Sequence, residues 1–128
     1  MDTPYTHTVL WWLFDDPDLD SATRALIARP DNEVYVSSVS AWEIATKHRI
    51  GKLPEATGIL RNYKRLSSKA RFRELDITIE HALKAGALPG SHQDPFDRML
   101  AAQSLLEGFS IVSRDPVFQL YKVKVIPA

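Results

Sequence analysis

Residues 33–44 have the sequence EVYVSSVSAWEI, in which an alternating apolar segment changes into a helical one. The valines of residues 33–39 alternate with polar side chains, which is typical of a β-strand. Ser40 followed three residues later by Glu43 matches a capping box and predicts that a helix begins at Ser40. A strand that leads directly into a helix is the repeating unit of α/β domains.

The rest of the chain continues this alternation of strands and helices. Helices are predicted at residues 21–29, 55–70, 78–87 and 95–107, and further strands at 72–77, 111–113 and 123–126. This order predicts an α/β fold with a central, mainly parallel β-sheet flanked by helices. Because no repeat or linker-like segment divides the sequence, residues 1–128 are predicted to form one domain.

Composition excludes several classes of protein. The chain has no cysteine, which excludes disulfides, thiolate nucleophiles and thiolate metal sites. It has no apolar run of 18 residues and no signal-peptide pattern, so we expect a soluble cytoplasmic protein with no membrane partner. Hydrophobic residues make up 45% of the sequence, which excludes disorder of the whole chain.

The formal net charge of zero conceals a strong asymmetry along the sequence. Residues 1–45 carry a net charge of −6, residues 46–73 a net charge of +8, and residues 74–128 a net charge of −2. A concentrated basic segment can bind anions even in a neutral protein. It can equally form a solvated helix face, and charge alone leaves both interpretations open.

Three acidic residues lie where parallel sheets usually place a site. Glu43 is predicted in the first turn of a helix that follows a strand, Asp97 in the first turn of the helix at 95–107, and Asp115 just after the strand at 111–113. Each has a structural explanation as a cap, a dipole partner or a turn residue. If they converge, however, each pair repels by about 4 kcal/mol at 4 Å and an effective dielectric of 20. Oxygen-only ligands of this kind suit Mg²⁺ or Mn²⁺, which promote phosphodiester hydrolysis.

A series of motifs resembles the PIN-domain family, specifically the VapC-like toxins of bacterial toxin–antitoxin pairs. The motifs are, in order, TH at 6–7, VLWWL at 9–13, SAWEI at 40–44, HQDPFDR at 92–98, AAQ at 101–103 and SRD at 113–115. The resemblance implies a PIN-like fold and a metal-dependent ribonuclease that uses Mg²⁺ or Mn²⁺. It implies that Glu43, Asp97 and Asp115 bind metal and that Ser113 takes the family's hydroxyl position.

The resemblance also implies partners: an RNA substrate, a VapB-like antitoxin that covers the site, and a second copy in a homodimer. The basic segment supplies candidate ligands for RNA phosphates. Three of them recur at i, i+4 and i+8 along one predicted helix edge, and two precede that helix. These candidates are Lys47, Arg49, Arg61, Arg65 and Lys69.

Tyr5 departs from the family pattern, because it stands where the family has its first acidic residue. A phenol is neutral at neutral pH and supplies no anionic ligand. Pro4 is poorly suited to a central strand, so the first strand is expected to be disrupted. Asp2 could substitute only through a shift in register. We therefore expect this chain to be weakly active or inactive as written.

Two alternative functions remain at this point. One is a catalytically inactive PIN domain that binds an antitoxin or RNA, which Tyr5 favours. The other is a phospho-acceptor receiver domain, which has a similar size and fold class. A receiver domain needs an acid pair after the first strand and a lysine after the last, and this sequence lacks that arrangement.

Overall fold

Short parallel strands form the centre of the fold. The computed structural model describes residues 5–6, 21–29, 33–91, 93–113 and 116–126. Its strands are β1 (Tyr5–Thr6), β2 (Tyr35–Ser37), β3 (Arg73–Leu75), β4 (Ser110–Val112) and β5 (Val125–Ile126). Strand β4 pairs with β1 and β5, and β2 pairs with β3. All of these pairs are parallel, as the sequence predicted.

Helices account for most of the described chain. They are α1 (Ser21–Ala28), α2 (Ser38–Arg49), α3 (Thr57–Lys69), α4 (Ile79–Ala87) and α5 (Pro95–Glu107), with 3₁₀ helices at Pro54–Ala56 and Pro116–Tyr121. Within the described ranges, no helix is both long enough and apolar enough to cross a membrane. The alternation of strands and helices confirms the predicted α/β class.

Strand β4 separates two apolar clusters. Its neighbouring residues Ile111 and Val112 belong to different clusters, because successive side chains of a strand point to opposite faces. The first cluster joins α2, α4 and α5 to the second 3₁₀ helix, and the second joins α1 to β2. Helices therefore cover both faces of this strand, as expected in a parallel sheet.

The described residues of the first strand pair within the sheet. Tyr5 lies opposite Ser110 and Thr6 opposite Ile111, so two residues of β1 join the sheet. The sequence predicted disruption of this strand because of Pro4, which lies outside the described residues. Asp2 and the motif at 9–13 lie outside the described residues.

The prediction that Ser40 caps α2 is wrong. The cap is Ser37, whose Oγ accepts a hydrogen bond from the Val39 N–H at 3.1 Å. Several serines could cap here, and Ser37 also donates to the Gln103 side chain at 2.6 Å in the interior. That tertiary hydrogen bond favours the earlier start, so the strand is shorter than predicted and Ser40 lies inside the helix.

Candidate active site

Helix α2 places Glu43 at the edge of the apolar core. Glu43 is 9% exposed and lies in the second turn after the Ser37 cap. Its Oε2 accepts a hydrogen bond from Lys47 Nζ at 2.7 Å, one helical turn further along. A buried carboxylate is stable only when it is paired or bound to a cation, and Lys47 provides that partner.

Helix α5 places Asp97 in its first turn. Asp94 caps this helix, with Oδ1 accepting from the Phe96 and Asp97 backbone N–H groups at 2.9 and 3.1 Å. Pro95 occupies the first helical position, as the sequence predicted. Asp97 is 8% exposed, and the positive end of the helix dipole favours its charge.

Lys47 interacts electrostatically with both Glu43 and Asp97. Partial burial acts to lower the pKa of the Lys47 ammonium. The hydrogen bond to Glu43 and the charges of Glu43, Asp94 and Asp97 more than offset it, so the pKa is raised above its ordinary value. Glu43 and Asp97 therefore both favour the charged form of Lys47, although they lie more than fifty residues apart in sequence.

A buried polar chain joins the helices that carry these acids. Ser37, which caps α2, donates to Gln103 Oε1 on α5. The Gln103 amide donates to the Asp76 carbonyl at 3.4 Å and to His81 Nδ1 at 3.3 Å. His81 Nδ1 also accepts from the Thr78 N–H, so His81 donates through Nε2 to Glu107 at 3.0 Å. These bonds fix the start of α2 relative to the middle of α5.

The remaining predicted site positions lie in strand β1 or after strand β4. Ser113 comes directly after β4 and is 3% exposed. The backbone of Tyr5 lies in the adjacent parallel strand β1. Asp115 lies outside the described residues. The register pairs Tyr5 with Ser110, so Tyr5 lies within the sheet, whereas Ser113 lies just beyond the carboxyl end of β4.

The carboxylates of Glu43 and Asp97, with Lys47 beside Glu43, form what we call the acidic pocket, and their donor chemistry fits a hard divalent cation. Glu43 and Asp97 offer buried carboxylate oxygens, and the Lys47 ammonium shows that the pocket favours positive charge. Among the described residues there is no group of three acidic, histidine or cysteine side chains placed to hold a metal. A complete ligand set would therefore need a residue outside the described ranges, and the sequence-based prediction names Asp115 for that position.

The predicted RNA-binding residues occupy two helices. Arg49 ends α2 and is exposed, whereas Lys47 points to Glu43. Exposed basic side chains line α3 at Arg61, Arg65 and Lys69. Helix α3 kinks at Asn62, and residues 60–65 line a shallow concavity of about 650 Å³.

Sequence reasoning missed two features of the site. The Glu43–Lys47 ion pair was readable from the i, i+4 spacing, which places both side chains on one helix face. Trp42, 55% exposed, contacts Phe96 edge-on with ring centroids 4.7 Å apart. This pair joins the residue before Glu43 to the residue before Asp97, and no sequence pattern reveals such a tertiary contact.

Comparison with known proteins identifies sequence relatives. A family model described as PIN domain matches residues 6–124. Ribonuclease VapC22 of Mycobacterium tuberculosis is 29% identical over 111 residues, covering 86% of this chain and 83% of that protein. Ribonuclease VapC16 of the same organism is 46% identical over 37 residues, covering 29% of this chain and 26% of that protein.

Solved structures share the fold over nearly the whole chain. VapBC2 from Rickettsia felis, bound to a promoter DNA fragment, matches with a TM-score of 0.67 at 17% identity, covering 96% of both chains. FitAcB from Neisseria gonorrhoeae matches with a TM-score of 0.69 at 16% identity, covering 97% of this chain and 96% of that one. The predicted PIN-like α/β fold and the resemblance to the PIN-domain family are thus confirmed. The match over residues 6–124 shows that the chain belongs to the PIN domain family.

Proposed function

We propose that this chain is a metal-dependent endoribonuclease of the VapC toxin type. The observation that carries the proposal is a pair of buried carboxylates on α2 and α5: Glu43 hydrogen-bonds Lys47, and the charge of Asp97 also favours the protonated lysine. A relative named ribonuclease VapC22, similar over 86% of this chain, supports RNA as the substrate. The receiver-domain alternative has no support from the family match.

In this proposal Glu43, Asp97 and Asp115 hold Mg²⁺ or Mn²⁺. Such a cation, when bound, supplies Lewis-acid activation of water and of the phosphodiester. The chain's own contribution is to hold the carboxylates in a partly dehydrated pocket, with α2 and α5 fixed by the Ser37–Gln103 hydrogen bond. Ser113, buried after β4, would orient ligands at the sheet edge.

Exposed arginines on α3 are proposed to bind RNA phosphates. Removing two phosphate contacts with Arg61→Gln/Arg65→Gln is expected to reduce the slope of log affinity against log salt by about 1.4 for single-stranded RNA. Fluorescence anisotropy across a KCl series, in EDTA to prevent cleavage, measures this slope. The matched control is Lys122→Gln/Lys124→Gln, which removes the same charge from exposed positions outside the basic segment. Equal effects of the two double variants would refute a specific role for α3.

Tyr5 is proposed to impair this activity, because it supplies no anionic ligand at the family's first acidic position. Tyr5→Asp is expected to increase the rate of Mn²⁺-dependent RNA cleavage by at least about 10-fold, since groups around a metal typically change activity by 10–100-fold. Cleavage of a labelled single-stranded RNA by both chains, with and without EDTA, measures this. Tyr5→Phe is the control and should not restore activity.

The outcome also decides between enzyme and binding module. Activity only in the Tyr5→Asp chain means that the parent is a catalytically inactive PIN domain that retains binding. Equal activity in both chains would contradict the proposed role of Tyr5. No cleavage by either chain would contradict the ribonuclease assignment.

We further propose that an antitoxin covers the acidic pocket and that the chain forms a homodimer. The structural neighbours from Rickettsia felis and Salmonella typhimurium are VapBC complexes, which supports the first partner. The exposed Trp42, which contacts the partly buried Phe96, provides an apolar surface beside the acids. Light scattering of the chain alone tests the homodimer, and a monomer would contradict it. Light scattering of the chain mixed with a candidate antitoxin tests the complex, and an unchanged mass would contradict it.

A further inference from the structure

The side chain of Lys47 spans the boundary between the acidic pocket and solvent. Its Nζ lies 2.7 Å from Glu43 Oε2, and the Glu43 side chain is 11% exposed whereas that of Lys47 is 46% exposed. The inner end of this ion pair is therefore buried, while the lysine stem has open space beside it. A flexible four-carbon stem in this position can turn outward without disturbing the core.

The Lys47 ammonium lies beside the negatively charged side chains that would attract a divalent cation. It binds one Glu43 oxygen directly and experiences the charges of Asp94 and Asp97. A lysine side chain is positively charged at neutral pH, and this one is paired with the buried Glu43 carboxylate at 2.7 Å. Two cations cannot share one carboxylate oxygen at close range without strong repulsion.

We propose that Lys47 is an internal counter-cation of the acidic pocket, which binds Glu43 Oε2 when no metal is present and leaves it when a divalent cation binds. This inference rests on the proposed metal-dependent function. Lys47 is then a positioning residue: it keeps the buried carboxylate neutralised and oriented before the metal arrives. The displaced ammonium then lies at the rim of the pocket, where it can donate a hydrogen bond to a phosphate of the RNA. In this second position Lys47 would bind RNA, as the sequence analysis predicts.

Mn²⁺ affinity tests the proposal without reference to catalysis. Lys47→Met keeps an unbranched apolar stem but removes the competing charge, and Lys47→Gln is a second neutral variant. Both are expected to bind Mn²⁺ about fivefold more tightly than the parent. A fivefold change in affinity equals about 1 kcal/mol, the upper end of the free energies measured for exposed ion pairs. Lys47→Arg keeps the charge and should bind Mn²⁺ like the parent. Electron paramagnetic resonance of free Mn²⁺ during titration gives each dissociation constant.

Lys52→Met is the matched control, because Lys52 is exposed in the turn after α2 and its removal makes the same change in net charge. Tighter binding by the two neutral Lys47 variants, but not by Lys52→Met, supports the proposal. If the parent binds Mn²⁺ and the Lys47 variants bind it equally or more weakly, the counter-cation role is overturned while the metal site stands. If neither the parent nor any variant binds Mn²⁺, both the counter-cation role and the proposed metal site are overturned.

Discussion

Asp97→Asn, introduced into the Tyr5→Asp chain, is expected to lower the rate of Mn²⁺-dependent RNA cleavage by at least about 100-fold. Substitutions in the shell around a metal typically change affinity or activity by 10–100-fold, and a direct ligand should matter at least as much. The amide retains the size of the carboxylate but not its charge. Because Asp97 is buried at the start of α5, no exposed acid can take its place without rebuilding the helix start.

Asp94→Asn is the control for this substitution. Asn and Asp cap helices about equally well, so the hydrogen bonds to the Phe96 and Asp97 N–H groups are retained. A charge at a helix start contributes about 0.3–1 kcal/mol, which limits the expected loss of cleavage to about fivefold. Single-turnover rates of the two variants provide the comparison. If Asp97→Asn cleaves as fast as Asp94→Asn, Asp97 is not a metal ligand.

Phe118→Ala is expected to reduce the free energy of unfolding by about 3–5 kcal/mol, the usual range for truncating a buried Phe. Phe118 is 0% exposed and belongs to the cluster that joins Val39 on α2, Leu100 on α5 and Ile111 on β4. A large part of a typical domain stability of 5–15 kcal/mol would be lost. The same cluster holds together the helices that carry Glu43 and Asp97, so the pocket should loosen with the core.

Leu120→Ala is the control for Phe118→Ala, since Leu120 lies in the same 3₁₀ helix but is 72% exposed. Its effect should stay within about 0.5 kcal/mol. Urea denaturation gives both values, provided the slope of free energy against denaturant is unchanged. Comparable losses for the two variants would show that burial of Phe118 does not dominate the stability of this cluster.

Local chemistry made the start and end of α5 predictable. Asp94 followed by Pro95 supplies a cap and a preset backbone angle, and Gly108 ends the helix with a φ of 75°. Thr78 similarly caps α4, as the sequence predicted. Such signals lie within a few residues of each other, so they can be read without knowing the tertiary structure.

Boundaries set by distant partners were not predictable. Ser37 and Ser40 are equivalent as local caps, and the hydrogen bond from Ser37 to Gln103, sixty-six residues away, favours Ser37. The placement of Glu43 and Asp97 near helix starts and the family resemblance suggested that they converge, but no local pattern relates α2 to α5. The i, i+4 spacing of Glu43 and Lys47 was sufficient to predict their ion pair. The basic residues near Lys47 instead led to the prediction that it binds RNA.

The Glu43–Asp97 pocket also changes the meaning of the neutral net charge. Buried acids that act on Lys47 contribute negative charge to a cation site, whereas exposed basic residues of α3 contribute positive charge to the surface. Both groups enter the same sum of charges but lie on different elements. A formal charge of zero is therefore compatible with RNA binding.

Mn²⁺ titration of the parent chain and of the Glu43→Gln/Asp97→Asn double variant tests the central claim most directly. Both substitutions preserve side-chain size and remove the two buried charges that act on Lys47. The account predicts saturable Mn²⁺ binding by the parent and its loss in the double variant, with folding of both confirmed by circular dichroism. Equal Mn²⁺ binding by the two chains, or no binding by the folded parent, would contradict it.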